Sequence, residues 1–329
     1  MKRSYILAAV VGATVAVALT LRVTGRLDRP AVELRSQAAA TSAPTLPPMP
    51  PDYVSAPVVD PAERDRGPAR IVSLAPSITE LVCALGLRDR LVGRTPYCRY
   101  PPGIESVPAV GALQDPNFEK IRSLSPDLVL ITANSTRLAS GLGELGISYH
   151  LVPHETLDDV FAAIETTGRA CDRPLTAHRL AEVIRADVDA LHRWATRSVR
   201  HPQRVLIALG EFPVPPRSVW AAGPGSFLGD LVALAGHTNA AGRVLKVSHG
   251  EIPLTALRGL DPDVILTFGQ PLSDRQRLDL YRSWSRIGPM RAIDRQRVRI
   301  VGDEEYLSAG PRIAITLHGI IATMSEFDR

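Results

Sequence analysis

Two aromatic residues in segments punctuated by proline and glycine are the strongest chemical signal in this sequence. Tyr97 heads YCRYPP and Trp220 opens WAAGPG. Rings placed there suit a cleft, where each buries a large area at small entropic cost and can stack on a flat macrocycle. The competing reading, that both merely end strands and belong to the core, is the common fate of aromatic side chains. Cys98, beside Tyr97, is a soft metal ligand on one reading and a partly buried thiol or half of a disulfide on the other; export would permit a Cys98–Cys171 bridge. Cys83 falls on the apolar face of its helix and reads as core. His150, His154 and His249 stand near strand or loop ends, where a haem or metal site would use one of them and solvent would otherwise hold them. Asp303, Glu304, Glu305 and Tyr306 can hydrogen-bond amide or hydroxyl groups of a ligand or form a solvated acidic turn, and Arg312, in AGPRI, reads as a structural anchor.

Motifs of catalysis are missing. The chain has no P-loop, no G-x-G-x-x-G after a strand, no G-x-S-x-G elbow and no H-E-x-x-H pair, which argues against an enzyme. GPGSFLG at 223–229 has exposed glycine amides that could cradle phosphate, but a tight turn capped by Ser226 accounts for it more simply.

The elements that must position these residues come twice. RIVSLAP at 70–76 is answered by RVLIALG at 204–210, ITELVCALG at 78–86 by FLGDLVALAG at 227–236, and LSPDLVL at 124–130 by LDPDVIL at 260–266. The order survives while the offsets vary between 134 and about 150 residues, as two related lobes with different loops require. A cleft between two lobes is a place to bind something. Ser77 is placed to cap the first helix with Glu80 in the capping-box position and Gly86 closing it; Asn117 caps a second helix, and another starts at Thr156. Strands at LVGRT, DLVLITA and ISYHLVP alternate with these helices, which predicts a parallel sheet. From Pro174 to Ser198 there is no internal Pro or Gly, and Leu180, Ile184, Val188, Leu191 and Trp194 recur at steps of three or four. That spacing predicts one helix, about 37 Å long, handing the chain from one lobe to the other.

Composition bounds the rest. The 329 residues are 45% hydrophobic and 22% charged, enough for two cores. The net charge of +4 is dispersed, with eight Lys/Arg against six Asp/Glu in the first 69 residues, so nucleic acid is not an expected partner. Lys2 and Arg3 precede an apolar run from Tyr5 to Leu21, which makes residues 1–22 either a cleaved signal peptide or a membrane anchor; no cysteine lies near enough for a lipid-modified one. Residues 23–69, rich in proline from Pro44 onward, are expected to be a disordered tether ahead of a folded part at 70–329. Within it, 70–173 is the first lobe, 174–198 the connecting helix and 199–329 the second lobe.

Taken in order, RIVSLAPSITELVCALG, YCRYPP, DPNFEKIRSLSPDLVL, AAGPGSFLGDLVALAGHTNAAG, DPDVIL and AGPRI resemble the periplasmic binding proteins for cobalamin and iron chelates. The resemblance implies two Rossmann-like α/β lobes joined by a single long backbone helix, with the ligand cleft between the lobes. It implies a non-enzymatic receptor, without intrinsic cofactor, that captures a corrinoid or iron-siderophore outside the cytoplasm for an ABC transporter permease. Tyr97 and Trp220 match cleft positions of that family. Leu113 and Thr132 fall where cobalamin binders carry tryptophan, and Glu304 and Tyr306 fall in the final cleft loop. Glu119, seven residues before Pro126, matches the first of two glutamates that dock on the permease. The second position holds Thr255, so either Glu251, one helical turn earlier, serves in its place or the transporter contact is altered. A membrane-tethered sensor or scaffold using the same cleft without transport is the alternative.

Overall fold

The computed structural model describes residues 45–209, 218–268, 273–301 and 307–327. The apolar run at 5–21, and Asp303, Glu304, Glu305 and Tyr306, lie outside the described residues.

In the first lobe β1 (Ile71–Ser73), α1 (Pro76–Ala84), β2 (Leu91–Arg94), α2 (Phe118–Ser123), β3 (Leu128–Thr132), α3 (Thr136–Glu144), β4 (Tyr149–Val152) and α4 (Leu157–Ala170) alternate. The strands form one parallel sheet in the order β2-β1-β3-β4. Two of the expected caps are present: Asn117 accepts from Lys120 N at 2.8 Å, and Thr156 and Asp159 make a reciprocal capping box on α4. The expected capping box of α1 is not. Pro76 takes the first helical position after an extended Ala75, with no side-chain cap, and Glu80 is turned into the interior instead.

The helix α5 (Pro174–Ser198) has the limits its periodicity predicts, and Leu180, Ile184, Val188, Leu191 and Trp194 are its buried stripe. Beyond it come β5 (Arg204–Ala208), β6 (Ser218–Ala222), α6 (Phe227–Leu234), β7 (Thr238–Asn239), β8 (His249–Pro253), α7 (Leu254–Leu260), β9 (Val264–Thr267), α8 (Asp274–Ser285), α9 (Arg291–Asp294), β10 (Val298–Ile300) and α10 (Ile313–Ser325). The second sheet runs β10-β9-β5-β6-β8, with β7 pairing the start of β5 in parallel. Its parallel strands β10, β9, β5 and β7 repeat β4, β3, β1 and β2 of the first lobe. The antiparallel pair β6 and β8 is additional, so this sheet is mixed where a parallel one was expected.

Because successive strand residues face opposite sides, each sheet is apolar on both. One continuous core joins Ile71 and Leu130 of the first sheet to Val205, Ile207 and Leu266 of the second through α1, α4, α5, α6 and α10. Val72, Val129 and Ile131 pack outward with α2 and α3, and Leu206 and Ile265 with α7 and α9.

The tether expected over 23–69 needs correction for its second half. From Thr45 the chain lies along α5 as a strap. Trp194 donates its indole N–H to Thr45 O at 3.0 Å, Tyr53 donates to Asp187 at 3.0 Å, and Asp60 accepts from Arg179 at 2.7 Å. Glu63, fully buried, accepts from Leu175 N at 2.8 Å and Thr176 N at 2.9 Å, so the strap supplies the cap that α5 lacks in its own N-cap residue. Burial alone would raise the Glu63 pKa, but these hydrogen bonds outweigh it and hold the carboxyl below its ordinary value. The prolines give the strap its extended path, and Val54, 2% exposed, adds it to the core.

Candidate functional site

A cleft of about 1340 Å³ opens at the carboxyl ends of the strands of both sheets, where open α/β sheets place their ligands. Its walls come from both lobes: the turns after β1, β2, β3 and β4 on one side, and β6, the start of β8, the end of β9 and helix α8 on the other.

The lobes meet below this cleft in a seam built twice. Glu80 of α1 and Asp230 of α6 are equivalent in the duplication, and each reaches the amino end of the other lobe's last helix. Glu80 accepts from the Arg312 guanidinium at 2.8 and 3.0 Å, just ahead of α10, and both residues are buried. Asp230 accepts from Leu157 N, the first residue of α4, at 3.0 Å. A carboxylate at a helix amino end is favoured by the unpaired N–H groups there. Arg312 is therefore an anchor, as its place in AGPRI suggests.

Tyr97 and Trp220 both line the cleft and are 62% and 51% exposed, so neither is a core aromatic. Tyr97 sits in the turn after β2. Trp220 is not in a loop as expected but in the middle of β6, opposite Glu251 of β8. Cross-strand partners face the same side of a sheet, so Glu251 lies on the Trp220 face and on a strand, not one helical turn before Thr255. Its carboxylate accepts from Ser218 Oγ. Leu113 and Thr132 line the cleft as well, and Thr132 Oγ1 is held by Ser135 Oγ at 2.6 Å.

Of the three histidines, His154 and His249 line the cleft and His150 does not. Burial, with a further push from His154, holds His249 below its ordinary pKa against the attraction of Glu155. Glu155 is the site residue that sequence reasoning missed. It stands between the two rings, with His154 Nε2 at 3.6 Å and His249 Nδ1 at 3.9 Å, and accepts from Ser248 Oγ of the other lobe at 2.8 Å. Its backbone carbonyl accepts from Phe227 N at 2.7 Å, a second crossing of the seam. The available signal was an acidic residue between a strand end and the Thr156 cap.

The cysteines are all free thiols, so no Cys98–Cys171 disulfide forms. Cys98 is buried and does not reach the cleft; its sulfur accepts from Thr79 Oγ1 at 3.0 Å and lies 3.2 Å from Thr95 Oγ1. Burial pushes Cys83 and Cys171 up to about 12, which makes both inert. Among the described residues no group of three or more His, Cys, Asp or Glu side chains could hold a metal ion. Glu119 is exposed in the first turn of α2, and Thr255 is exposed at the equivalent second position of α7.

The sequence matches the family model of the periplasmic binding proteins over residues 71–286. It is 30% identical over 255 residues to the uncharacterized ABC transporter substrate-binding lipoprotein YvrC of Bacillus subtilis (strain 168), covering 75% of this chain and 76% of that protein. It is 33% identical over 147 residues to the vitamin B12-binding protein of Yersinia pestis (strain Pestoides F), covering 44% of this chain and 52%, about half, of that one. The solved structure of the periplasmic heme-binding protein RhuT from Roseiflexus sp. RS-1 superposes with a TM-score of 0.68 at 24% identity, over 80% of this chain and 100% of that one.

Proposed function

Since this chain belongs to the periplasmic binding protein family, we propose that it is an extracytoplasmic receptor that captures a metal chelate between its lobes for an ABC importer. The observation that carries the reading is the cleft itself, into which an aromatic ring from each lobe is exposed. Its volume exceeds the roughly 300–1,000 Å³ typical of drug-sized ligands and suits a corrinoid, a haem or an iron-siderophore. Relatives named for vitamin B12 and for heme support a macrocyclic metal complex. The cargo brings its own metal. Tyr97 and Trp220 supply flat apolar area, and Leu113 and Thr132 complete that wall. Glu155 and Ser248 supply hydrogen-bonding groups at the seam.

Because α5 and the strap brace one continuous core, closure on the ligand is small and affinity comes from surface already in place. Glu119 is the first-lobe contact with the permease. One relative is a lipoprotein, and here the first cysteine is Cys83, so residues 5–21 serve as the attachment unless they are removed on export.

Calorimetry with cyanocobalamin, haem and a ferric hydroxamate tests the reading on wild type, Tyr97→Ala and Trp220→Ala. Losing a central aromatic anchor costs about 2 kcal/mol or more of binding energy. If no chelate binds below millimolar concentration, or if both variants bind as tightly as wild type, the cleft is not a chelate site and the sensor or scaffold reading replaces it.

A further inference from the structure

The strap lies outside the family match, which begins at residue 71, yet it contacts a residue of the cleft wall, Tyr100. Asp52 uses its two carboxylate oxygens differently. Oδ1 accepts from Val54 N at 3.1 Å and Ser55 N at 3.3 Å, folding the strap into a tight turn. Oδ2 accepts from the hydroxyl of Tyr100, which also lies 2.9 Å from Ser55 Oγ. Tyr100 lines the cleft three residues after Tyr97, and its ring lies beneath the Arg312 guanidinium, 4.0 Å from carbon to centroid. Arg312 in turn pairs with Glu80, which also borders the cleft. A continuous chain therefore runs from strap to cleft wall to seam: Asp52, Tyr100, Arg312, Glu80. Burial would raise the Asp52 pKa, but the bonds from Tyr100, Ser55 and Val54 outweigh it, so the carboxylate stays charged and a strong acceptor.

We infer that Asp52 is a positioning residue for ligand binding: through the Tyr100 hydroxyl, the strap fixes the 95–102 loop and hence the first-lobe aromatic wall. The inference deepens the chelate-receptor reading and rests on it for its affinity arm. Without Asp52 the Tyr100 side chain keeps its stacking under Arg312 and the neutral contact with Ser55 Oγ but loses its charged acceptor, and the loop that carries Tyr97 gains rotational freedom that ligand binding must then remove. The expected loss is that of one charge-assisted hydrogen bond expressed through preorganisation, roughly three- to tenfold in Kd.

The experiment uses the full chain with Asp52→Ala, Tyr100→Phe and the double variant. Two quantities are measured: Kd for cyanocobalamin and for haem, and ligand-free hydrogen–deuterium exchange across residues 95–104. Asp52→Ala is expected to weaken whichever probe wild type binds and to speed exchange in the loop. In the Tyr100→Phe background it should do neither, because the hydroxyl through which it acts is gone. A merely structural role would produce a loss of thermal stability that persists in that background. Unchanged loop exchange in Asp52→Ala overturns the inference, as does an equal loss of affinity with and without the Tyr100 hydroxyl. If wild type binds neither probe, the chelate reading fails on its own, and the exchange comparison still decides whether Asp52 holds the loop.

Discussion

The two lobes share one frame of parallel strands and helices, and the second adds the antiparallel pair β6 and β8 beside the cleft. In the first lobe β1 has β2 alongside it, and the cleft aromatic hangs on the turn that follows. In the second, β7 pairs only the start of β5, which leaves the same edge free at its other end. There β6 inserts, antiparallel, pairing Ala208 with Ala221. That insertion puts Trp220 on a hydrogen-bonded strand held between β5 and β8, while Tyr97 stays on a turn three residues before Tyr100, whose hydroxyl donates to Asp52 of the strap. A duplicated frame can thus carry one rigid wall and one adjustable wall.

The sharpest way to break the comparison is at the seam, where equivalent carboxylates have unequal partners. Glu80 meets a buried guanidinium, and Asp230 meets a backbone N–H at a half-buried site. Removing one member of a buried ion pair strands the other charge in the interior. Arg312→Ala should therefore cost about 3–5 kcal/mol in urea unfolding, against about 1 kcal/mol for Asp230→Ala, which loses one hydrogen bond. A double change of Glu80→Gln with Arg312→Met should recover part of the first loss, because the two charges of this pair are removed together. Equal costs for Arg312→Ala and Asp230→Ala would show that the seam is energetically symmetric and that burial of the ion pair does not matter.

A smaller asymmetry lies one turn beyond. Gly86 and Gly236 end α1 and α6 with positive φ of 73° and 83°, and the next residue donates back to Val82 O or Val232 O at 3.0 Å in each copy. That residue is Leu87 in the first lobe and His237 in the second, both buried. Burial pushes His237 down to about 4, from 6.5 when exposed. Between these values the unfolded chain binds a proton that the folded one does not, so the contribution is complete above about pH 6.5 and is lost as pH falls towards 4. At about 1.4 kcal/mol per pKa unit it amounts to roughly 3 kcal/mol at most. His237→Gln should flatten the pH dependence of unfolding over that window; an unchanged profile would show that His237 is not the acid-labile group.

How much of this was legible in the sequence follows from the range of the interactions. The α5 helix was, because its apolar stripe and the absence of Pro and Gly are local. The caps at Asn117, Thr156 and Ser226 were, because each needs only its next three residues. Ser77 misled because Pro76 already occupies the first helical position, and Glu80, spaced for a capping box, finds its partner 232 residues away. The strap was hidden for the same reason: its prolines exclude helix and sheet, which reads as disorder, while its partners on α5 lie more than a hundred residues on. Trp220 lines the cleft from a strand where a loop was expected, since nothing local announces an antiparallel strand inside a duplicated parallel unit. Glu155 acquires its role only when Ser248 and His249 arrive from the other lobe.

The smallest expected effect concerns the outer faces. Glu119 and Thr255 are both exposed at the second position of equivalent helices, so the copies differ there by one charge. If Glu119 docks on the permease, Glu119→Arg should lower association with the membrane complex by about an order of magnitude at low salt, with the effect shrinking as salt rises, while chelate affinity is unchanged. Thr255→Glu would make the pair of charges symmetric and, on the same reading, should tighten association only a few-fold. Glu251→Arg is the control that separates the faces: on the strand face it shares with Trp220, it should disturb chelate binding and leave docking alone. A pull-down in which Glu119→Arg binds like wild type, or in which Glu251→Arg is the variant that fails, would move the docking surface from the helix ends to the rim of the cleft.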